Sequence, residues 1–188
     1  PVFLFIGIII KLTSRGPVFY LGKRVGLEGK IFNQYKFRTM EHKVKGDHFT
    51  SKLDVRITPV GKLLRTFKLD EIPQFFNIIK GEMSLVGPRP EAVDVVMKNY
   101  KPSYYDVFSV RPGLTCTLQI MIFPDFTNTI PKGKDPTKYY NEVILPQRIQ
   151  EDLDYVDSIS FINDLSIIIK TINCIILEIF RYSKLSFK

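Results

Sequence analysis

Apolar and polar positions recur along this chain with two different periods, and the change of period divides it into elements. The sequence opens on an apolar run, PVFLFIGIII, which reads as a helix over residues 2–12 closed by a turn at Gly16-Pro17. Residues 18–21 and 31–40 read as extended pieces on either side of turn residues at Glu28-Gly29. In the second piece a two-residue period places Ile31, Tyr35 and Phe37 on one face and Lys36 and Arg38 on the other. Taken alone, that second face is a solvated one. Residues 41–53 are polar and aperiodic, as in a loop.

From residue 59 the period lengthens to three and four. Val60, Leu63, Leu64 and Phe67 share a face that leaves out Lys62, Arg65 and Lys68, predicting a helix over 59–69. Asp70 then suits the N-cap of a second helix, with Pro73 in its first turn and Phe75, Phe76, Ile78 and Ile79 on its apolar side. Gly81 is placed to end it. A further helix is expected to begin after Pro90 and run to about Tyr100. Arg111-Pro112-Gly113 fits a type II turn, residues 114–123 a strand, 124–135 a loop, and 136–155 a partly helical stretch. Residues 164–180 carry the strongest helical pattern. Leu165, Ile168, Ile169, Ile172, Ile175, Ile176 and Ile179 form one broad apolar face there, either core or membrane-facing, of which core is the commoner arrangement. No repeat, low-complexity tract or internal boundary interrupts this order. The expectation is a single α+β, helix-rich domain with a short β-hairpin.

A chain of 188 residues is long enough for one hydrophobic core. Its net charge of +8 is unevenly spread: residues 1–68 hold 14 Lys/Arg against 4 Asp/Glu, and the remainder 13 against 15. Basic charge therefore gathers beside the apolar N-terminus. That pairing suits an anionic membrane surface, where each basic residue contributes about 1 kcal/mol. Nucleic acid is the competing partner of a basic face, but it leaves the apolar segment unexplained. Ten helical residues rise about 15 Å, half of a hydrocarbon core of about 30 Å, so residues 1–10 are too short to span one. They read equally well as half of a membrane helix or as a buried one. Cys116 and Cys174 have no histidine nearby, so they show no metal-ligand spacing and are expected as free thiols. His42 and His48 lie in a polar stretch and give zinc little support.

The chemistry concentrates in residues 68–91, KLDEIPQFFNIIKGEMSLVGPRPE. Acids at a helix start are common because they complement the dipole, at about 0.3–1 kcal/mol, and on that ground Asp70 and Glu71 read as structural. Surrounded by cations, the same pair could hold a hard divalent ion such as Mg²⁺, or supply a carboxylate that attacks phosphorus. Arg89 has the clearer case. Pro88 and Pro90 restrict its backbone, and a guanidinium held that way presents a planar fork suited to phosphate. Gly87 allows close backbone approach or an unusual φ. There is no P-loop and no GxGxxG.

At these residues the sequence resembles the bacterial sugar transferases, the monotopic phosphoglycosyl transferases. The likeness runs through KLTSRGPVFY (11–20), YKFRTM (35–40), DVRITPVGKLLRTFKLDEIPQ (54–74), GEMSLVGPRPE (81–91), VRPGLT (110–115), KYYNEVILP (138–146) and DLSIIIKT (164–171). It implies transfer of a sugar 1-phosphate from a UDP-sugar to a polyprenyl phosphate, usually undecaprenyl phosphate, with release of UMP. It further implies that Asp70 is the nucleophile and that Glu71 is its partner in holding Mg²⁺. Arg65 and Arg89 match phosphate-contacting arginines, and Lys36 and Arg38 belong to a basic motif that contributes to the same task. The family enters the cytoplasmic leaflet of the bacterial inner membrane through a helix broken at a proline. Pro1 matches that proline, so residues 1–12 are expected to be the second half of the re-entrant helix, with its first half missing. Residues 13–188 are then the catalytic domain on the cytosolic face, without nucleic acid as a partner and with a homo-oligomer left open. After Leu114 the run TCTLQ departs from the family pattern, so the choice of sugar does not carry over. Two other readings remain: a non-catalytic module binding anionic lipid, and a nucleotide-sugar hydrolase in which water replaces the prenyl phosphate.

Overall fold

The opening apolar run forms helix α1 (Val2–Thr13), yet only Ile6 and Ile10 of it are buried, against Phe37 and Leu64. Val2, Leu4, Phe5, Ile8 and Leu12 face outward. The computed structural model describes residues 1–42, 54–117, 120, 131 and 134–186, without the side chains of 136 and 182–186. Most of the loop expected over 41–53, and most of the strand and loop expected over 114–135, lie outside the described residues. Among the described residues no helix is long and apolar enough to cross a membrane.

Strands β1 (Phe19–Val25) and β2 (Ile31–Phe37) pair antiparallel, with Phe19 opposite Phe37 and Val25 opposite Ile31. The first arm is longer than residues 18–21, because backbone pairing continues through Gly22, Lys23 and Arg24, where the apolar pattern has stopped. Glu28 and Gly29 turn the hairpin in left-handed conformations, at φ 55° and 73°. Helix α2 (Pro59–Thr66) starts at Thr58, whose hydroxyl accepts from the Gly61 N–H at 2.9 Å. Its buried stripe is narrower than expected: Leu64 is enclosed and Leu63 exposed.

The chain then breaks at Lys68, which takes a left-handed conformation, φ 55°. A 3₁₀ turn (Leu69–Gln74) follows, and helix α3 (Phe75–Ile79) comes only after it. Asp70 is therefore inside a tight turn and not the cap of a helix; Lys68 takes the position before the turn. Gly81, at φ 75°, follows α3 as expected.

Strand β3 (Ser84–Val86) pairs in parallel with β4 (Gly113–Thr115). The expected type II turn is absent, since Gly113 lacks the positive φ such a turn requires and instead begins β4. Its need for glycine is steric: a Cβ there would meet the Gly87 nitrogen at 2.2 Å, and one at Gly87 would meet the Arg111 carbonyl at 2.5 Å. Helix α4 (Val93–Asn99) begins after Pro90 as expected, once residues 91–92 have paired with the end of β1, the Val25 N–H donating to the Glu91 carbonyl at 3.0 Å.

A 3₁₀ segment (Pro102–Ser109), helix α5 (Pro136–Tyr139), a π turn (Tyr140–Ile144), helix α6 (Leu145–Asp157) and helix α7 (Phe161–Ser186) complete the described chain. The result is a helix-rich α+β fold with a short antiparallel hairpin. Its largest core packs Val25 against Val95, Val96, Phe108, Leu145 and Ile149. The broad face of α7 is not core: Leu165, Ile169, Ile172, Ile176 and Ile179 are 44–50% exposed. The helix packs instead through Ile167, with Thr171 bonded to Thr115 at 2.6 Å, which turns the stripe outward. Cys116 and Cys174 are free thiols.

Candidate active site

The acid pair is held by amides. Gln34 on β2 donates to the Gln74 side chain at 2.9 Å. Asn77 accepts from the Tyr35 N–H at 3.0 Å and donates to the Asn33 carbonyl at 2.8 Å. Gln74 and Asn77 are 1% and 0% exposed, so these bonds offset a burial cost and fix the end of the 3₁₀ turn and α3 against the hairpin. Sequence reasoning passed over both residues. Their signal was two amides inside the otherwise apolar run PQFFNII.

Asp70 is buried, and its Oδ1 has no hydrogen-bond partner. Burial and then the adjacent Glu71 charge push its carboxyl above the usual range, against the cations Lys36, Lys68 and Arg65. Glu71 goes the other way. Burial alone would raise it, but Lys36, Lys68 and Arg89 outweigh that and hold it at about 2. Lys36 Nζ stands 3.4 Å from Glu71 Oε1 with little of its side chain exposed, and burial lowers its pKa. The solvated face expected for Lys36 is thus a half-buried one turned toward the acids.

Arg89 is walled by protein, which disfavours its charge, but keeps a solvent-exposed side; the Glu71 carboxylate more than compensates. Arg65 donates from Nε to Thr39 Oγ1 at 2.8 Å, and its charge bears on Asp70. The structure therefore brings Lys36, Arg65 and Arg89 within electrostatic reach of the acid pair, Arg65 bearing on Asp70 and Arg89 on Glu71. Arg38 is engaged elsewhere. It is buried, and its guanidinium donates to the Arg15 carbonyl and, at 2.9 Å, to the Ser14 carbonyl, just past the end of α1.

Two carboxyls of unequal acidity, ringed by cations from β2, α2 and the Pro88–Pro90 loop, suit a polyanion whose phosphate oxygens face a carboxylate. The site also fits a hard divalent cation: Asp70 Oδ1 is unpartnered, and Glu71 supplies a second oxygen. Among the described residues no group of three or more Asp, Glu, His or Cys could hold a metal. Two protein carboxylates leave the remaining positions to water and phosphate, the arrangement Mg²⁺ favours.

Behind Arg89 lies a second polar group that the sequence did not announce. Glu91 accepts from Tyr140 Oη at 2.8 Å and from Arg148, whose Nη2 reaches Tyr100 Oη at 3.1 Å. Asp152 lies 3.6 Å from Arg148 Nε, close enough to Arg89 that the Arg89 N–H and charge oppose the rise that burial gives its pKa. Arg148 and Asp152 stand four residues apart in a stretch that had read only as charged and partly helical.

An acid pair and a proline-framed arginine meet on this scaffold. Residues 1–178 match the bacterial sugar transferase family, and the chain belongs to that family. It is 38% identical over 176 residues to the UDP-glucose:undecaprenyl-phosphate glucose-1-phosphate transferase of Klebsiella pneumoniae, covering 92% of this chain and 35% of that protein. It is 36% identical over 180 residues to the UDP-N-acetylgalactosamine-undecaprenyl-phosphate N-acetylgalactosaminephosphotransferase of Aeromonas hydrophila, covering 94% and 39%. The exopolysaccharide production protein ExoY of Rhizobium meliloti is 37% identical over 195 residues, covering 95% and 78%. The chain thus spans little more than a third of the first two relatives, and those two act on different sugars.

Proposed function

We propose that this chain transfers a sugar 1-phosphate from a UDP-sugar to a polyprenyl phosphate, undecaprenyl phosphate in bacteria, and so begins a glycoconjugate on its lipid carrier. The observation that carries the reading is the meeting of Asp70, Glu71, Lys36 and Arg89, from three separate elements, in a member of this family. In the first step an Asp70 carboxylate oxygen attacks the β-phosphorus. The bond from that phosphorus to the bridging oxygen breaks, and UMP leaves with the electron pair. In the second step a phosphate oxygen of the polyprenyl phosphate attacks the same phosphorus, and the Asp70 carboxylate is released.

The raised pKa of Asp70 makes its ionised form the better nucleophile, while Glu71 stays ionised beside it. Arg89, Arg65 and Lys36 hold the phosphate oxygens and offset the charge that develops in each step. Asp70 and Glu71 would hold Mg²⁺, which, when bound, polarises phosphate oxygens and neutralises their charge. The acceptor is a lipid, so the site works at a membrane surface, the cytoplasmic face of the bacterial inner membrane. The outward apolar face of α1 and the basic first third of the chain support that placement.

The test is UMP release from a panel of UDP-sugars with and without undecaprenyl phosphate. Release that continues for many turnovers only with the lipid supports the transferase, and EDTA should stop it. Multiple turnovers without lipid would point to hydrolysis. No release with any sugar would leave only a lipid-binding module, and full activity in EDTA would remove the metal.

A further inference from the structure

The polar group behind Arg89 is deeply buried. Arg148, Glu91 and Asp152 are 2%, 6% and 3% exposed. Ion pairs at that depth often stabilise no better than well-packed apolar residues would, so their presence asks for a role that needs direction. Their attachments supply one. The Arg89 N–H and charge bear on Asp152, and Arg148 joins Asp152 to Glu91, two residues beyond Arg89. The segment carrying Arg89 is thus tied through Glu91 to one helix, α6, which contributes no other group to the acid pair. The chain of contacts also continues forward. Glu91 Oε1 lies 3.9 Å from Arg24 Nη1, Arg24 Nε donates to Gln34 Oε1 at 3.1 Å, and Gln34 holds Gln74 at the end of the acid turn. One polar path therefore runs from α6 through the hairpin to the turn that carries Asp70.

We propose that Asp152 and Arg148, through Glu91, are positioning residues that set the placement of Arg89 relative to the acid pair. The inference rests on the reading of Arg89 as a phosphate contact. A guanidinium aimed at a transferring phosphoryl group acts through its position, and a displacement of about 1 Å can cost on the order of 10²-fold in rate. Neither Asp152 nor Arg148 touches substrate in this scheme; both act through Arg89.

A double-mutant cycle separates positioning from general stability. In the full chain, Asp152→Asn should lower kcat/KM by about 10²-fold, and it should weaken binding of UDP, used as a diphosphate probe in calorimetry. In an Arg89→Ala background the same substitution should change either quantity by no more than about twofold, since there is no guanidinium left to misplace. Its effect on thermal unfolding should be the same in both backgrounds. Arg148→Lys, which keeps the charge but loses the fork, should follow the same pattern. Equal losses from Asp152→Asn with and without Arg89 would overturn the proposal and leave a purely structural group. If the wild-type chain bound UDP and transferred phosphosugar normally while the cycle came out additive, the positioning role alone would fall. If the wild type did neither, the functional reading would fall and the proposal with it.

Discussion

Asp70 and Glu71 are neighbours in sequence and opposites in chemistry, and their surroundings make the difference. Asp70 has burial and a neighbouring negative charge against it, whereas Glu71 has Lys36, Lys68 and Arg89 in its favour. Both acids and Arg89 were legible as a local motif, because their spacing and the flanking prolines are written in one 24-residue run. What was not legible was everything the fold brings to that run from elsewhere: Gln34, Arg148 and Asp152 are ordinary polar residues until tertiary structure buries them. Glu91 shows how strongly that burial acts. Burial raises its pKa, but Arg148, the Ala92 N–H and Tyr140 outweigh it and hold the carboxyl at about 2, below the ordinary 4.5. The unfolded chain then binds the extra proton between those values, so stability rises with pH across that window, by about 3 kcal/mol in all. That contribution is complete above about pH 4.5 and disappears as pH falls through about 2. Thermal unfolding of Glu91→Gln should accordingly lie well below wild type at pH 6, with the gap narrowing steadily toward pH 2. Parallel curves would show that Glu91 is not held by charge.

At the scale of elements, periodicity found the helices and the hairpin but misjudged where chains approach each other. Arg111-Pro112-Gly113 has the composition of a type II turn, yet Gly113 is there because β4 lies against the backbone of Gly87. Gly113→Ala should therefore act as overpacking, costing about 1–3 kcal/mol and lowering the unfolding midpoint by several degrees. An unchanged midpoint in a thermal scan would mean that the two backbones are not so close. Helix α7 exposes a different limit. A broad apolar stripe looks the same in sequence whether it faces a core or the outside, and only the packing of Ile167 and Thr171 decides that it faces out. The capping expectation for Asp70 failed for a related reason. A left-handed Lys68 breaks the helix before the acid pair, and nothing in residue preference marks a lysine for that conformation.

Over the whole molecule, charge and apolar surface are arranged together. The first 68 residues carry the excess of Lys and Arg, and α1, in the same region, leaves Leu4, Phe5 and Leu12 at 66–81% exposed. The chain should sediment with vesicles containing anionic lipid, more weakly as salt rises, and Phe5→Glu should reduce that binding. Equal binding to neutral vesicles at all salt concentrations would remove the electrostatic part of the account. The hairpin lies between the two regions that matter. One end of β2 packs on α1 through Phe37, and its other face holds the acid turn through Gln34 and Lys36. The outward apolar face of α1 and the acid pair are thereby joined through one strand. The central claim is that Asp70 becomes covalently bonded to the phosphosugar. Incubation with a UDP-sugar labelled at the β-phosphate, quenched before the lipid acceptor is added, measures it directly. Wild-type protein should retain label that undecaprenyl phosphate then removes, and Asp70→Asn should retain none; label that persists on the Asp70→Asn protein would contradict the account.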